Sequence, residues 1–173
     1  MKKIKVYFSL IVATFALLTS CIKQDSKLYS AGTVVEFDAT VLNAPAVGKT
    51  FPLLTRVPVY GIAASTANPL ITRTTPGVIR FRVNLVGAQS SSDRTITYRV
   101  VPSESTAVSG THYTSGTSLV IPANTSFGEL SVNILNSGVS GANVNLVFEL
   151  VGDGSNVTAS ANYKFLGMTI AQL

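Results

Sequence analysis

Between Gly77 and Val86 the chain alternates strictly, with Ile79, Phe81, Val83 and Leu85 on one phase and Arg80, Arg82 and Asn84 on the other. A period of two belongs to a strand with one dry and one wet face, because only a pleated chain sends successive side chains to opposite sides. The pattern recurs. Ile96, Tyr98 and Val100 repeat it, as do Leu119 and Ile121; Leu130, Val132 and Ile134; Val144, Leu146, Phe148 and Leu150; and Leu166, Met168 and Ile170. Weaker strand signals near Val34 to Thr40 and Val57 to Ile62 precede them. Gly, Pro, Ser, Thr and Asn punctuate these runs, and breakers and β-branched residues come too often for an amphipathic helix. The expected fold is all-β, a single antiparallel sandwich or barrel of about seven to eight strands. Ala63 to Pro76 carries two prolines and no clean period, so it reads as a long connection or a ragged edge strand.

The first twenty residues are of a different kind. Lys2, Lys3 and Lys5 precede an apolar run from Val6 to Leu18, which is too short for a comfortable membrane span and suits the hydrophobic segment of a cleaved signal. Thr19 and Ser20 then lead into Cys21, the only cysteine of the chain. Small residues directly before a cysteine resemble a lipobox, in which a diacylglycerol is attached to the thiol. A lone thiol in an exported protein favours that reading over an ordinary secretory signal. Residues 1 to 20 are therefore expected to be a lipoprotein signal peptide, 21 to 32 a tether lipidated at Cys21, and 33 to 173 one folded domain. The implied address is the bacterial outer membrane, through the lipid. In the tether, Ile22-Lys23-Gln24-Asp25 resembles the surface-export signal of Bacteroidota lipoproteins, with Lys23 and Asp25 as its charged positions. Display at the cell surface is expected, with the periplasmic face as the alternative.

Charge excludes one class of partner. Three of the thirteen Lys and Arg residues lie in the signal, so the mature chain keeps ten against eight acidic residues, a net of +2. It has no basic cluster interleaved with aromatics, and nucleic acid is not an expected partner. With a single cysteine there is no disulfide framework, so stability must come from apolar burial and sheet hydrogen bonds.

The middle of the chain carries a resemblance. Ser109-Gly110-Thr111-His112-Tyr113, Gly116, the run Ser118 to Ser126 with its Pro122-Ala123 corner, and Glu129 to Ile134 resemble the core of Calx-β-like domains. Phe81 to Gly87 and Asn145 to Leu150 match the flanking strands. Over about residues 77 to 171 the chain is similar to the small Calx-β-like lipoproteins of Bacteroidota, many of unknown function and often encoded with glycan-uptake machinery. The resemblance implies an immunoglobulin-like sandwich. It does not bring the calcium site with it. Calcium takes six to eight hard oxygen ligands, whereas Gly87 to Arg94 offers only Asp93, Ser103 to His112 only Glu104, and Gly152 to Ala161 only Asp153. His112 stands where the family has an Asp. No calcium, other metal or cofactor is expected.

Catalytic chemistry finds little to build on. His112 is the sole histidine, and beside Tyr113 it reads as a loop residue holding a turn. Glu129 and Glu149 fall on outward strand positions, where a solvated face explains them. No enzyme is expected and no catalytic residue is assigned. The candidate ligand contacts are Tyr60 and Tyr163, which flank strands in a chain without tryptophan; Tyr113 belongs to the turn motif and is expected to be packed. Two functions fit: an accessory or structural module that binds a partner protein or envelope component, and, as the alternative, a weak glycan-binding lipoprotein. Exposed aromatics in a shallow groove favour the second, and a flat apolar patch or bare strand edge favours the first.

Overall fold

A computed structural model describes residues 32–38, 45–62, 65–74 and 77–173. Cys21, Lys23 and Asp25 lie outside the described residues. The folded unit runs from Ala31 to Leu173.

Each alternating run becomes a strand. In chain order these are β1 (Val34–Phe37), β2 (Leu53–Leu54), β3 (Gly77–Val86), β4 (Arg94–Val100), β5 (Tyr113–Ser115), β6 (Ser118–Ile121), β7 (Phe127–Ile134), β8 (Val144–Gly152), β9 (Thr158–Ala159) and β10 (Phe165–Ile170). Among the described residues the only helical segment is a 3-10 turn at Pro102–Glu104. Two runs of strands form. One is β5-β7-β3-β1, antiparallel throughout. The other is β2-β10-β8-β4-β6, with β2 parallel to β10 and the rest antiparallel. Short β9 joins them, pairing with β8 on one side and parallel to β1 on the other.

The expected seven to eight strands, all antiparallel, need correction on both counts. Among the described residues there are ten, and two of the strand pairings are parallel. The additional strands, β2, β5 and β9, are two or three residues long, too short to show alternation, and the parallel partners of β2 and β9 are remote in the chain. No strand spans Val57 to Ile62. Instead Val59 and Ile62 bridge each other across a tight turn, because Gly61 adopts a positive φ of 71° there. Residues 65–74 form a ragged edge, in which Leu70 and Thr72 make isolated bridges to Arg56 and Ala171.

The core lies between the two runs. Ile79, Phe81, Val83 and Leu85 point into it from β3, and Leu130, Val132 and Ile134 from β7. Leu146, Phe148 and Leu150 of β8 and Leu166, Met168 and Ile170 of β10 meet them from the other side. Phe148 sits 6.5 Å from the Phe81 ring across the core and edge-on to Tyr98 at 5.7 Å.

Strand β8 departs from the alternation, since its outward residues Val147 and Glu149 are buried as well. Alternation alone puts Glu149 on a solvated face, but it is only 9% exposed. The Arg99 guanidinium lies 2.6 Å from one carboxylate oxygen and the Lys164 ammonium 3.0 Å from the other. Burial alone would push the Glu149 carboxyl up, but hydrogen bonds and charge from Lys164 and Arg99 outweigh it and hold the group below its ordinary value. A carboxyl depressed in the folded state stabilises at pH values above its unfolded pKa, and that contribution is lost as pH falls through the folded value. Glu149→Gln should therefore cost about 1–2 kcal/mol at neutral pH, modest because Arg99 is mostly solvated. Urea midpoints should show the gap closing as the solution is acidified below the unfolded value of 4.5. A gap independent of pH would mean that packing, not charge, holds Glu149 in place.

Candidate functional site

The wet phase of β3 gives the outer face of the β1-β3-β7 layer its chemistry. Arg80, Arg82 and Asn84 project there from β3. The register sets Arg82 opposite Glu129, and Asn84 opposite Phe127, on β7. On the other flank Glu36 of β1 lies opposite Asn84, and Asp38 follows two residues on. Burial pushes the Glu36 carboxyl up, and the charge of Asp38 adds to the effect.

The tight turn at Val59 to Ile62 lies over this face. Its Gly61 N–H donates to the Asp38 carboxylate at 3.3 Å, which ties the turn tip to the end of β1. Tyr60 is thereby brought over the sheet. The Arg82 guanidinium carbon lies 3.5 Å from the Tyr60 ring centroid and 3.9 Å from that of Phe127, between two rings 6.3 Å apart and only 12° from parallel. A cation between two aromatic faces meets the negative side of both quadrupoles. Arg82 Nε also donates to Asn84 Oδ1 at 2.7 Å, which fixes the plane of the fork. The rings nonetheless keep much surface free, Tyr60 at 61% and Phe127 at 41% exposure.

Two depressions flank the stack. A small cavity of about 150 Å³ is walled by Asp38, Tyr60, Arg80, Arg82 and Glu129. A more open groove of about 360 Å³ runs past Phe127 between Val120, Pro122, Thr125 and Ser131. Glu129 borders both, with its carboxylate 3.4 Å from Arg80 Nε. Neither reaches far beyond the lower end of the roughly 300–1,000 Å³ typical of drug-sized pockets. Such a face can hold one ring of a larger ligand and leave the remainder in solvent.

The candidate contacts are not brought together. Tyr163, 40% exposed, borders a separate groove of about 510 Å³ with Pro45, Pro52, Asn162 and Phe165. Its carbonyl accepts the Phe37 N–H at 2.9 Å, a sheet-edge contact that explains its position without a ligand. Tyr113 is packed, as its motif suggested. His112 accepts the Val108 N–H on Nδ1 at 2.9 Å and so closes its own turn. The sequence reading names neither Phe127 nor Arg82 as a site residue. The signal was present in the phase: Leu130 and Val132 face inward, which leaves Phe127 as a phenylalanine on the wet side. Among the described residues no group of three or more His, Cys, Asp or Glu could hold a metal ion. The face can stack, donate and accept, and it carries no catalytic arrangement.

A family model described as a domain of unknown function, DUF4843, matches residues 70–168, more than half of the chain. The protein belongs to the DUF4843 family. The matched region runs from before β3 into β10, and so includes Arg80, Arg82, Phe127 and Glu129 but not Tyr60. None of the curated proteins matches this DUF4843 chain. Among solved structures, the apo form of the Calx CBD1 domain superposes with a TM-score of 0.54 at 13% identity, over 82% of this chain and 97% of that one. At such low identity the likeness shows the fold alone, and the DUF4843 domain has a Calx-β-like fold. A putative carbohydrate binding protein from Bacteroides ovatus ATCC 8483 gives a TM-score of 0.43 at 12% identity, over 56% of this chain and 32% of that one. The calcium binding domain CBD12 of CALX1.1 gives 0.45 at 16%, over 55% and 38%.

Proposed function

We propose that this DUF4843 protein is a lipid-anchored, non-catalytic binding module of the bacterial cell envelope whose ligand is a glycan. The observation that carries the reading is the Tyr60-Arg82-Phe127 stack beside the Arg80-Glu129 pair. Sugar rings pack their C–H faces on aromatic rings and spend their hydroxyls on planar polar side chains at the rim, and this face offers both within one patch. In this reading the two strand runs are the layers of an immunoglobulin-like sandwich, and the stack sits on the outer surface of one layer. Exposed Val59, Ile62 and Leu70 near the same turn favour the second reading, a protein partner.

The discriminating experiment is affinity electrophoresis of the full chain through gels containing polysaccharides. Tyr60→Ala combined with Phe127→Ala should abolish retardation, a loss of at least about tenfold in affinity, with circular dichroism unchanged. Retardation by no polysaccharide, alongside stable recovery of one envelope protein that the double substitution releases, would replace the glycan with a protein partner.

Anchoring is the other half of the proposal. Cys21 carries the diacylglycerol, which together with any third acyl chain gives the stable hold that a single chain does not. Lys23 and Asp25 direct the protein to the outer surface. Cys21→Ser should move the protein from the membrane pellet to the soluble fraction. Protease added to intact cells should digest the wild-type domain, and should spare the Lys23→Ala, Asp25→Ala double variant. An undigested wild type, in cells whose known surface proteins are cut, would place the domain on the periplasmic face.

A further inference from the structure

We infer that the outer-face site takes an uncharged sugar unit with a vicinal diol, with Arg80 and Glu129 as the pair that reads the diol. This rests on the glycan reading above and narrows it to a ligand class.

Charge balance comes first. The face gathers two guanidinium groups, Arg80 and Arg82, against three carboxylates, Glu36, Asp38 and Glu129. A uronate or sulfate brought here would lose water against a surface with no excess of positive charge, and an anion without such compensation is expensive to desolvate.

Arg82 is also committed. Capture of an anionic group works through the open fork of a guanidinium, two parallel N–H groups meeting two oxygens. Arg82 has both of its planes covered by rings and its Nε engaged by Asn84. Arg80 turns its Nε towards Glu129 at 3.4 Å. That distance is long for a closed hydrogen bond and leaves a donor and an acceptor side by side at the surface. A hydroxyl both donates and accepts, so two neighbouring hydroxyls fit such a pair: one accepts from Arg80 while the other donates to Glu129. Apart from Phe127 and Glu129 the groove is lined by apolar groups and the hydroxyls of Thr125 and Ser131. No positive charge there would recruit an anion.

Glu129 borders both depressions and is therefore the residue on which selection turns. The test uses the full chain in detergent micelles against dextran, mannan and xylan as neutral probes and polygalacturonate and chondroitin sulfate as anionic ones. At least one neutral polymer should bind and neither anionic one should. Glu129→Gln, at an exposed position, should keep its melting temperature and lose about tenfold in affinity for the neutral polymer, the scale of one hydrogen bond to a charged group. Glu129→Arg should lose neutral binding and gain affinity for polygalacturonate, which a merely structural role would not produce. Binding of an anionic polymer as tight as that of any neutral one, or a Glu129→Gln effect below about twofold, would overturn the inference and leave glycan binding standing. Binding to none of the five would overturn the glycan reading and the inference with it.

Discussion

Phe148→Ala should destabilise the domain by about 3–5 kcal/mol, a substantial part of the stability of a chain this size. The side chain is fully buried, with 0% exposure. It stands on β8 between Val100 of β4 and Leu166 of β10, and its ring touches Phe81 across the core and the edge of Tyr98. Neighbours on both sides belong to hydrogen-bonded strands that cannot collapse into the vacated volume, so the cost should approach the upper end of the range for a large-to-small change. Phe148→Leu, which keeps most of the volume, should cost clearly less. Arg80→Ala on the same layered fold should shift the urea midpoint hardly at all, because its ion pair with Glu129 is solvent-exposed on both sides. Comparable losses from Phe148→Ala and Arg80→Ala would put the register wrong by one residue, since such a slip moves every side chain to the opposite face.

That contrast also marks what could be read in advance. The inward phases of β3, β4, β6 and β7 follow from local alternation, because each of these strands has one wet face and the sequence records which. β8 was only half legible. Its inner phase reads correctly, but Val147 and Glu149 are covered from outside by groups remote in sequence, such as the Ser105 hydroxyl that receives the Val147 N–H and the Arg99 and Lys164 heads that close over Glu149. Alternation encodes which face is wet in an isolated layer and says nothing of what later folds over it.

The same limit governs the site. That Arg82 points outward is visible in the β3 pattern; that it lies between two rings depends on where the turn carrying Tyr60 lands, and that is set by a hydrogen bond between Gly61 and Asp38, 23 residues apart. Tyr60 and Tyr163 look equivalent as sequence, each a tyrosine beside a short apolar run. The fold puts one over a polar, charged face and the other at a sheet edge. Strands β2, β5 and β9 escaped for a simpler reason: two or three residues cannot display a period, and they exist because longer neighbours offer them an edge.

The junction of the two runs depends on one glycine, and Gly152→Ala should cost about 3–5 kcal/mol through backbone strain and overlap together. Gly152 pairs with Thr97 on β4 and with Thr158 on β9, and the register shifts by one residue between Thr97 and Tyr98. Val151 is the additional residue of this bulge and points to solvent, while Leu150 and Gly152 are both buried. The bulge lets β8 bend away from β4 and reach β9, which continues to β1, so it is the point at which one run is tied to the other. Gly152 has a φ of +116°, which side-chain-bearing residues rarely adopt. A Cβ there would also press on the Val157 carbonyl, with the Val157 carbon only 3.1 Å away. Both obstacles are backbone. No rotamer change can relieve them, and β9 must move off the edge if the methyl is to fit. Gly154 separates the two effects, because it has a φ of +79° but open space where a Cβ would lie. Gly154→Ala should therefore show the conformational cost alone, about 1–2 kcal/mol. The excess at Gly152 measures the overlap. Hydrogen exchange on the Gly152→Ala variant should show early loss of protection at Thr158 and Ser160, whose amides donate to Thr33 and Val35, before β3 and β7 open. Equal costs at the two glycines would mean that β9 is not held against β8 as tightly as the paired backbone requires.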